Sequence, residues 1–109
     1  MTHRVIILPR AKRQLLDQAT WWSENRSAEQ AFRWLEGFER ALDTLANNPE
    51  RCRTARESAA FALVIRELHF GLGRRPTHRA VFEVRGDEVI VYTVRHLAQA
   101  DLMADELRP

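Results

Sequence analysis

The residues best suited to chemistry lie between Phe61 and Leu97. This stretch holds Arg66, His69, Arg74, Arg75, His78, Arg79, Arg85, Arg95 and His96 among β-branched and aromatic residues. Three of the four histidines fall in it, and its acids are Glu67, Glu83, Asp87 and Glu88. Arginine and histidine together suit metal-free phosphodiester chemistry. A base must take a proton from a ribose 2′-hydroxyl, an acid must protonate the leaving 5′-oxygen, and a cation must stabilise the phosphorane. Imidazole titrates near neutrality and serves the proton steps; guanidinium binds phosphate at two points. His96 or His78 could be acid or base, with Glu67 or Glu83 as rival bases and Arg79 and Arg95 as phosphate clamps. A lone strand arginine more often ends in solvent or in a salt bridge, so the set gains meaning only from its clustering.

Other chemistries find less support. The histidines His3, His69, His78 and His96 lack metal-helix spacing, and Cys52 stands alone, so no metal is expected. Gly71-Leu72-Gly73 does not open a helix, so it is no phosphate loop, and no serine-nucleophile motif is present. No cofactor is expected. Sixteen of the seventeen basic residues are arginine, Lys12 being the exception, while the formal charge is only +2. The kind of cation therefore says more than its excess, because a planar fork matches carboxylate and phosphate better than an ammonium does.

The elements that must position these residues follow from periodicity. At 109 residues the chain is expected to be a single domain, residues 1–109, with one modest core. No apolar run approaches the roughly 20 residues of a membrane span. Val5-Ile6-Ile7-Leu8 is too short for a signal-peptide core, and a lone cysteine gives no disulfide; a cytoplasmic protein without membrane contact is expected. Arg4 to Leu8 reads as a strand. Pro9 suits a first helical position, and Leu8, Ala11, Leu15, Ala19 and Trp22 recur at helical spacing, which predicts a helix to Trp22 or Ser23. Ser27 and Gln30 form a capping-box arrangement. The stripe Ala31, Trp34, Leu35, Phe38, Leu42 and Leu45 then predicts a second helix to about Ala46. Pro49 to Ala60 is aperiodic and reads as a connector.

Three strands follow, over Leu63 to Phe70, Thr77 to Arg85, and Glu88 to Arg95, with Gly86-Asp87 as a tight hairpin turn. Ala98 to Leu107 reads as a short terminal helix. Strict alternation groups Ile90, Tyr92, Val94 and His96 on one face of the last strand, and Val89, Val91, Thr93 and Arg95 on the other. The predicted fold is α+β in two layers: an N-terminal strand and a helical hairpin packed on a twisted antiparallel sheet, with a short C-terminal helix. The hairpin covers one sheet face, and the other face, or part of it, is left for function.

Several segments carry a family resemblance. Pro9-Arg10-Ala11 opens helix one, and Asn48-Pro49-Glu50-Arg51 follows the Ala31-to-Leu45 helix. Ile65-Arg66-Glu67-Leu68, His78-Arg79-Ala80-Val81-Phe82 and Val94-Arg95-His96-Leu97 follow, in that order and spacing. Through these the chain resembles the RelE/ParE superfamily of toxins from type II toxin–antitoxin systems, the plasmid-stabilisation family, over nearly its whole length. The resemblance implies the same sheet-and-hairpin fold and a cognate antitoxin whose C-terminal segment wraps the toxin. It implies one of two activities. RelE-like members cut mRNA at the ribosomal A site without metal, and ParE-like members inhibit DNA gyrase. For the endoribonuclease (mRNA interferase) line it places Arg79, Arg95 and His96 in the active site, with Arg66 at an often basic position and His78 beside them. The absence of lysines on the first hairpin strand and of a tyrosine near the C-terminus favours the gyrase line. The first expectation is the ribosome-associated nuclease. The alternatives are a non-enzymatic gyrase inhibitor and a degenerate toxin that only binds its antitoxin.

Overall fold

The computed structural model describes residues 2–108. The N-terminal strand β1 (Arg4–Ile7) leads into helix α1 (Pro9–Asn25), with Pro9 in its first turn as expected. Helix α2 (Ala28–Asp43) starts where the Ser27 hydroxyl oxygen accepts a hydrogen bond from the Gln30 N–H at 3.1 Å. The expected end near Ala46 is met by a 3₁₀ turn, Thr44–Ala46. Arg51 closes that end by donating to the carbonyls of Asn47 (2.9 Å) and Thr44 (3.3 Å) and to the Thr44 hydroxyl (2.7 Å). These bonds satisfy acceptors that a helix terminus leaves open.

The connector is ordered by a second 3₁₀ turn, Pro49–Arg51, and a single helical turn, α3 (Ser58–Phe61). Three strands follow: β2 (Arg66–Phe70), β3 (His78–Arg85) and β4 (Glu88–His96). Gly86 takes φ 56° in the β3–β4 turn, a conformation that glycine adopts without the Cβ penalty. The sheet order is β1-β4-β3-β2. The β2–β3 and β3–β4 pairs are antiparallel, but β1 pairs parallel with β4, so the sheet is mixed rather than wholly antiparallel. The expected terminal helix is reduced to one 3₁₀ turn, Ala104–Leu107.

The helical hairpin packs on one sheet face as its stripes predict. Trp34, Phe38, Leu42 and Leu45 meet Ala80, Phe82, Val89, Val91 and Val94 in the main core. Val89, Val91 and Val94 share that face because the β3–β4 register shifts beside Phe82, which pairs with Val91 while Val81 pairs with Thr93. Tyr92 is the extra residue. A bulge of this kind inverts the alternation beyond it, and so Val94 and His96 point to the helices rather than with Ile90.

The other sheet face is not left open. A second core of Ala55, Ile65, Val81 and Leu102, flanked by Phe61, Leu63 and Leu107, brings the connector and the C-terminal segment over it. The connector turns at Ser58, whose side chain receives the Ile65 N–H at 3.2 Å and donates to the Leu63 carbonyl.

Truncating a side chain at the centre of the main core removes buried surface and leaves a cavity. Phe38→Ala is expected to lower stability by about 3–5 kcal/mol. Phe32, 64% exposed on the same helix, is expected to tolerate Ala within about 0.5 kcal/mol. Chemical denaturation of the two variants checks the contrast.

Candidate functional site

Strands β3 and β4 pair His78 with His96 and Arg79 with Arg95. The two pairs point to opposite faces, and the structure separates the expected set accordingly. The histidines lie on the helix side and the arginines beneath the connector and C-terminal segment.

Arg79 is fully buried. Its two terminal nitrogens donate to both oxygens of Glu57, Nη1 at 2.9 Å, and Glu67 stands 3.9 Å away. Glu57 also accepts the Leu102 N–H at 3.1 Å. Burial raises the Glu57 carboxyl, but the bonds from Arg79 and Leu102 outweigh it and hold the pKa at about 2. Arg95 is also buried; it donates to Glu106 and to the Ala100 carbonyl, each at 2.6 Å. Burial raises Glu106 as well, yet the Met103 N–H and Arg95 bring it below the ordinary carboxylate range. Arg66 donates to the carbonyls of Cys52 (2.8 Å) and Glu50 (3.3 Å), fixing the connector to β2. His69 bonds Glu67 at 2.6 Å.

On the helix side His78 is buried, and its ring lies 5.1 Å from those of both Trp34 and His96. Its Nε2 faces the Gln18 side-chain oxygen at 3.0 Å and its Nδ1 the Thr77 hydroxyl at 2.8 Å. An Nε2–H tautomer satisfies both: it donates to Gln18 and accepts from Thr77. Burial, and then the neighbouring His96, push its pKa down to about 4, so the ring is neutral at pH 7. His96 is exposed at the strand end, and its Nδ1 accepts the Ala98 N–H at 3.1 Å. Gln14 completes this seam beyond the end of β1. Its side-chain oxygen accepts from the Val94 N–H at 2.7 Å and the Thr93 hydroxyl at 2.9 Å, and so caps an otherwise unpaired strand edge. A cleft of about 340 Å³ opens here, lined by Gln18, Trp21, Trp22, Thr77, His78 and His96.

Four participants escaped the sequence reading: Glu57, Glu106, Gln14 and Gln18. Periodicity gives no signal for them, since each acts outside its own element. The available signal was indirect. An arginine among the apolar residues of β3 requires a buried counter-charge, and Glu57 is an acid in the connector. Among the described residues, no group of three or more His, Cys, Asp or Glu side chains is placed to hold a metal ion, and no helix is long and apolar enough to cross a membrane.

The arrangement is that of a small α+β domain whose buried cations serve its own carboxylates and whose open histidine lies at a strand end. The fold matches a chain from a structure described as "Chromosomal ParDE TA system from P. aeruginosa", with a TM-score of 0.69 at 16% identity. The match covers 87% of this chain and 96% of that one. No curated protein matches the sequence. The model of the ParE toxin family, "ParE toxin of type II toxin-antitoxin system, parDE", matches residues 5–101. The chain belongs to this family.

Two consequences can be measured. Leaving Arg79 buried without its carboxylate is expected to cost about 3–5 kcal/mol, so Glu57→Gln should fall by that much in chemical denaturation. His78 binds its proton at about 4 when folded, against an ordinary 6.5. Between those values the unfolded chain takes up a proton that the folded chain refuses, so stability falls as pH drops from 6.5 to 4. His78→Gln should flatten that slope in pH-dependent unfolding. The loss due to Glu57 comes lower, as pH falls from 4.5 to 2.

Proposed function

We propose that the chain is the toxin of a type II toxin–antitoxin module that acts by binding DNA gyrase and does no chemistry of its own. The observation carrying this reading is the commitment of its arginines. A phosphate clamp needs guanidinium N–H groups free to meet the substrate. The terminal nitrogens of Arg79 and Arg95 are engaged by Glu57, Glu106 and the Ala100 carbonyl, and Arg66 is spent on main-chain carbonyls. Membership of the ParE family supports the same side, as does the absence of first-strand lysines and a terminal tyrosine.

The partner in this reading is a cognate antitoxin, and the helical hairpin offers it a surface. Leu16 and Phe32 are exposed, and a shallow groove of about 180 Å³ lies between Ile7, Lys12, Leu15, Leu16, Leu35 and Glu39. An amphipathic helix fits such an apolar groove with a basic and an acidic rim.

One observation favours the ribosome-dependent nuclease as second reading. His78 and His96 stand side by side at a cleft, as an acid–base pair would. His78 is neutral and its nitrogens are occupied, which leaves His96 as the group open to a substrate.

Purified chain added to gyrase is expected to inhibit supercoiling and to leave mRNA intact on programmed ribosomes. A-site cleavage with normal supercoiling overturns the proposal in favour of the nuclease. Phe32→Asp is expected to weaken antitoxin binding at least tenfold in calorimetry without changing the unfolding midpoint.

A further inference from the structure

From the cleft at the end of α1 we infer a site for a planar, acceptor-rich heteroaromatic ring of the nucleobase class. The inference stands independently of the gyrase proposal. It rests on three observations about the cleft.

Its size comes first. A volume of about 340 Å³ lies within the range of small-ligand sites, roughly 300–1,000 Å³, and a flat bicyclic ring fits it. The walls come second. Trp21 and Trp22 stand edge to face with ring centres 5.6 Å apart, and Trp21 is 45% exposed although it is a large apolar side chain. The Arg26 guanidinium lies over the Trp21 ring, 5.6 Å from its centroid, so a base stacks on the indole by displacing or sandwiching that planar cation, and stacking of a base on an aromatic side chain is worth about 1–3 kcal/mol. Third is the polarity. The Gln18 oxygen is engaged by His78, which leaves its amide N–H groups as donors. The His96 Nδ1 accepts from Ala98, which leaves Nε2–H as the ring's donor. The Trp22 Nε1–H is buried without a partner. Donors therefore predominate among the polar groups around the cleft, with the Thr77 hydroxyl oxygen as an acceptor.

This combination selects the ligand. Donors on an aromatic wall match ring nitrogens and carbonyl oxygens lying in one plane, as a nucleobase edge presents them. Arg74 and Arg75, both exposed, lie in the loop that leads into Thr77. They offer charge for a phosphate attached to the base, which binds a cation whatever the base.

The test titrates the folded, full chain with GMP, AMP, CMP and UMP, with ribose 5-phosphate and indole as controls. It follows tryptophan fluorescence and the indole N–H resonances by NMR. Saturable binding of at least one nucleotide is expected, with a shift of the Trp22 indole N–H. Affinity should drop at least tenfold in Trp21→Ala and in Gln18→Leu, both checked for native circular dichroism. If either variant fails to fold, the Trp22 indole shift in the wild type decides. Short single-stranded RNA and DNA oligomers then separate a free nucleotide from a base presented by a strand. Equal binding of ribose 5-phosphate overturns the site, because the loop arginines alone then account for it. Binding of indole but of no nucleotide also overturns it, and assigns the cleft to an aromatic side chain of a protein partner. No saturable binding at millimolar nucleotide overturns it outright.

Discussion

The ion pair between Arg79 and Glu57 is the constraint on which the rest depends. A guanidinium in a sheet interior is unfavourable unless its charge and N–H groups are met. Here a carboxylate from the connector meets it at two points. The same carboxylate receives the Leu102 N–H, so one side chain joins the central strand, the connector and the C-terminal segment. Arg95 repeats the device one strand over with Glu106 and the Ala100 carbonyl. The far face of the sheet is therefore closed by electrostatics as well as by the small apolar cluster around Leu102.

Closure of that face sends the open chemistry to the other side. His78 faces α1 in phase with Ala80 and Phe82, and His96 joins it there because the bulge at Tyr92 brings Val94 and His96 round to the helices. Gln14 and Gln18, four residues apart on α1, then serve two needs. One caps the edge of β4 where β1 has ended, and the other fixes the tautomer of His78. Tyr92 itself donates to Glu83 at 2.7 Å, and burial with that carboxylate raises its pKa to about 12. The bulged residue is thus a structural hydrogen bond rather than a proton donor near neutral pH.

Much of the fold was legible in the sequence. The α2 stripe from Ala31 to Leu45, the Pro9 start of α1 and the Gly86-Asp87 turn are local signals, and the elements form where they stand. The bulge was not legible, because β4 is apolar on both faces and alternation cannot reveal a slipped phase in such a strand. The parallel pairing of β1 is a topological fact without a local signature. Leu102, Met103 and Leu107 have the spacing of a helical apolar face, which predicts a terminal helix over 98–107. Instead Leu102 and Leu107 pack on the second core, and only a 3₁₀ turn remains between them. The arginines and histidines were visible as a set, but their division between two faces depends on long-range carboxylates that periodicity does not report.

If Arg79 is a keystone of the fold, an apolar pair should replace it. The most direct measurement compares Arg79→Met alone with Arg79→Met combined with Glu57→Leu, by chemical denaturation and by growth arrest on induction. Removing both partners of a buried pair restores much of what removing one destroys. The single variant is expected to be strongly destabilised, and the double variant to recover more than half of the loss and to match the wild type in its effect on growth. A double variant that folds stably yet loses the wild-type effect on growth would contradict this and return Arg79 to the substrate.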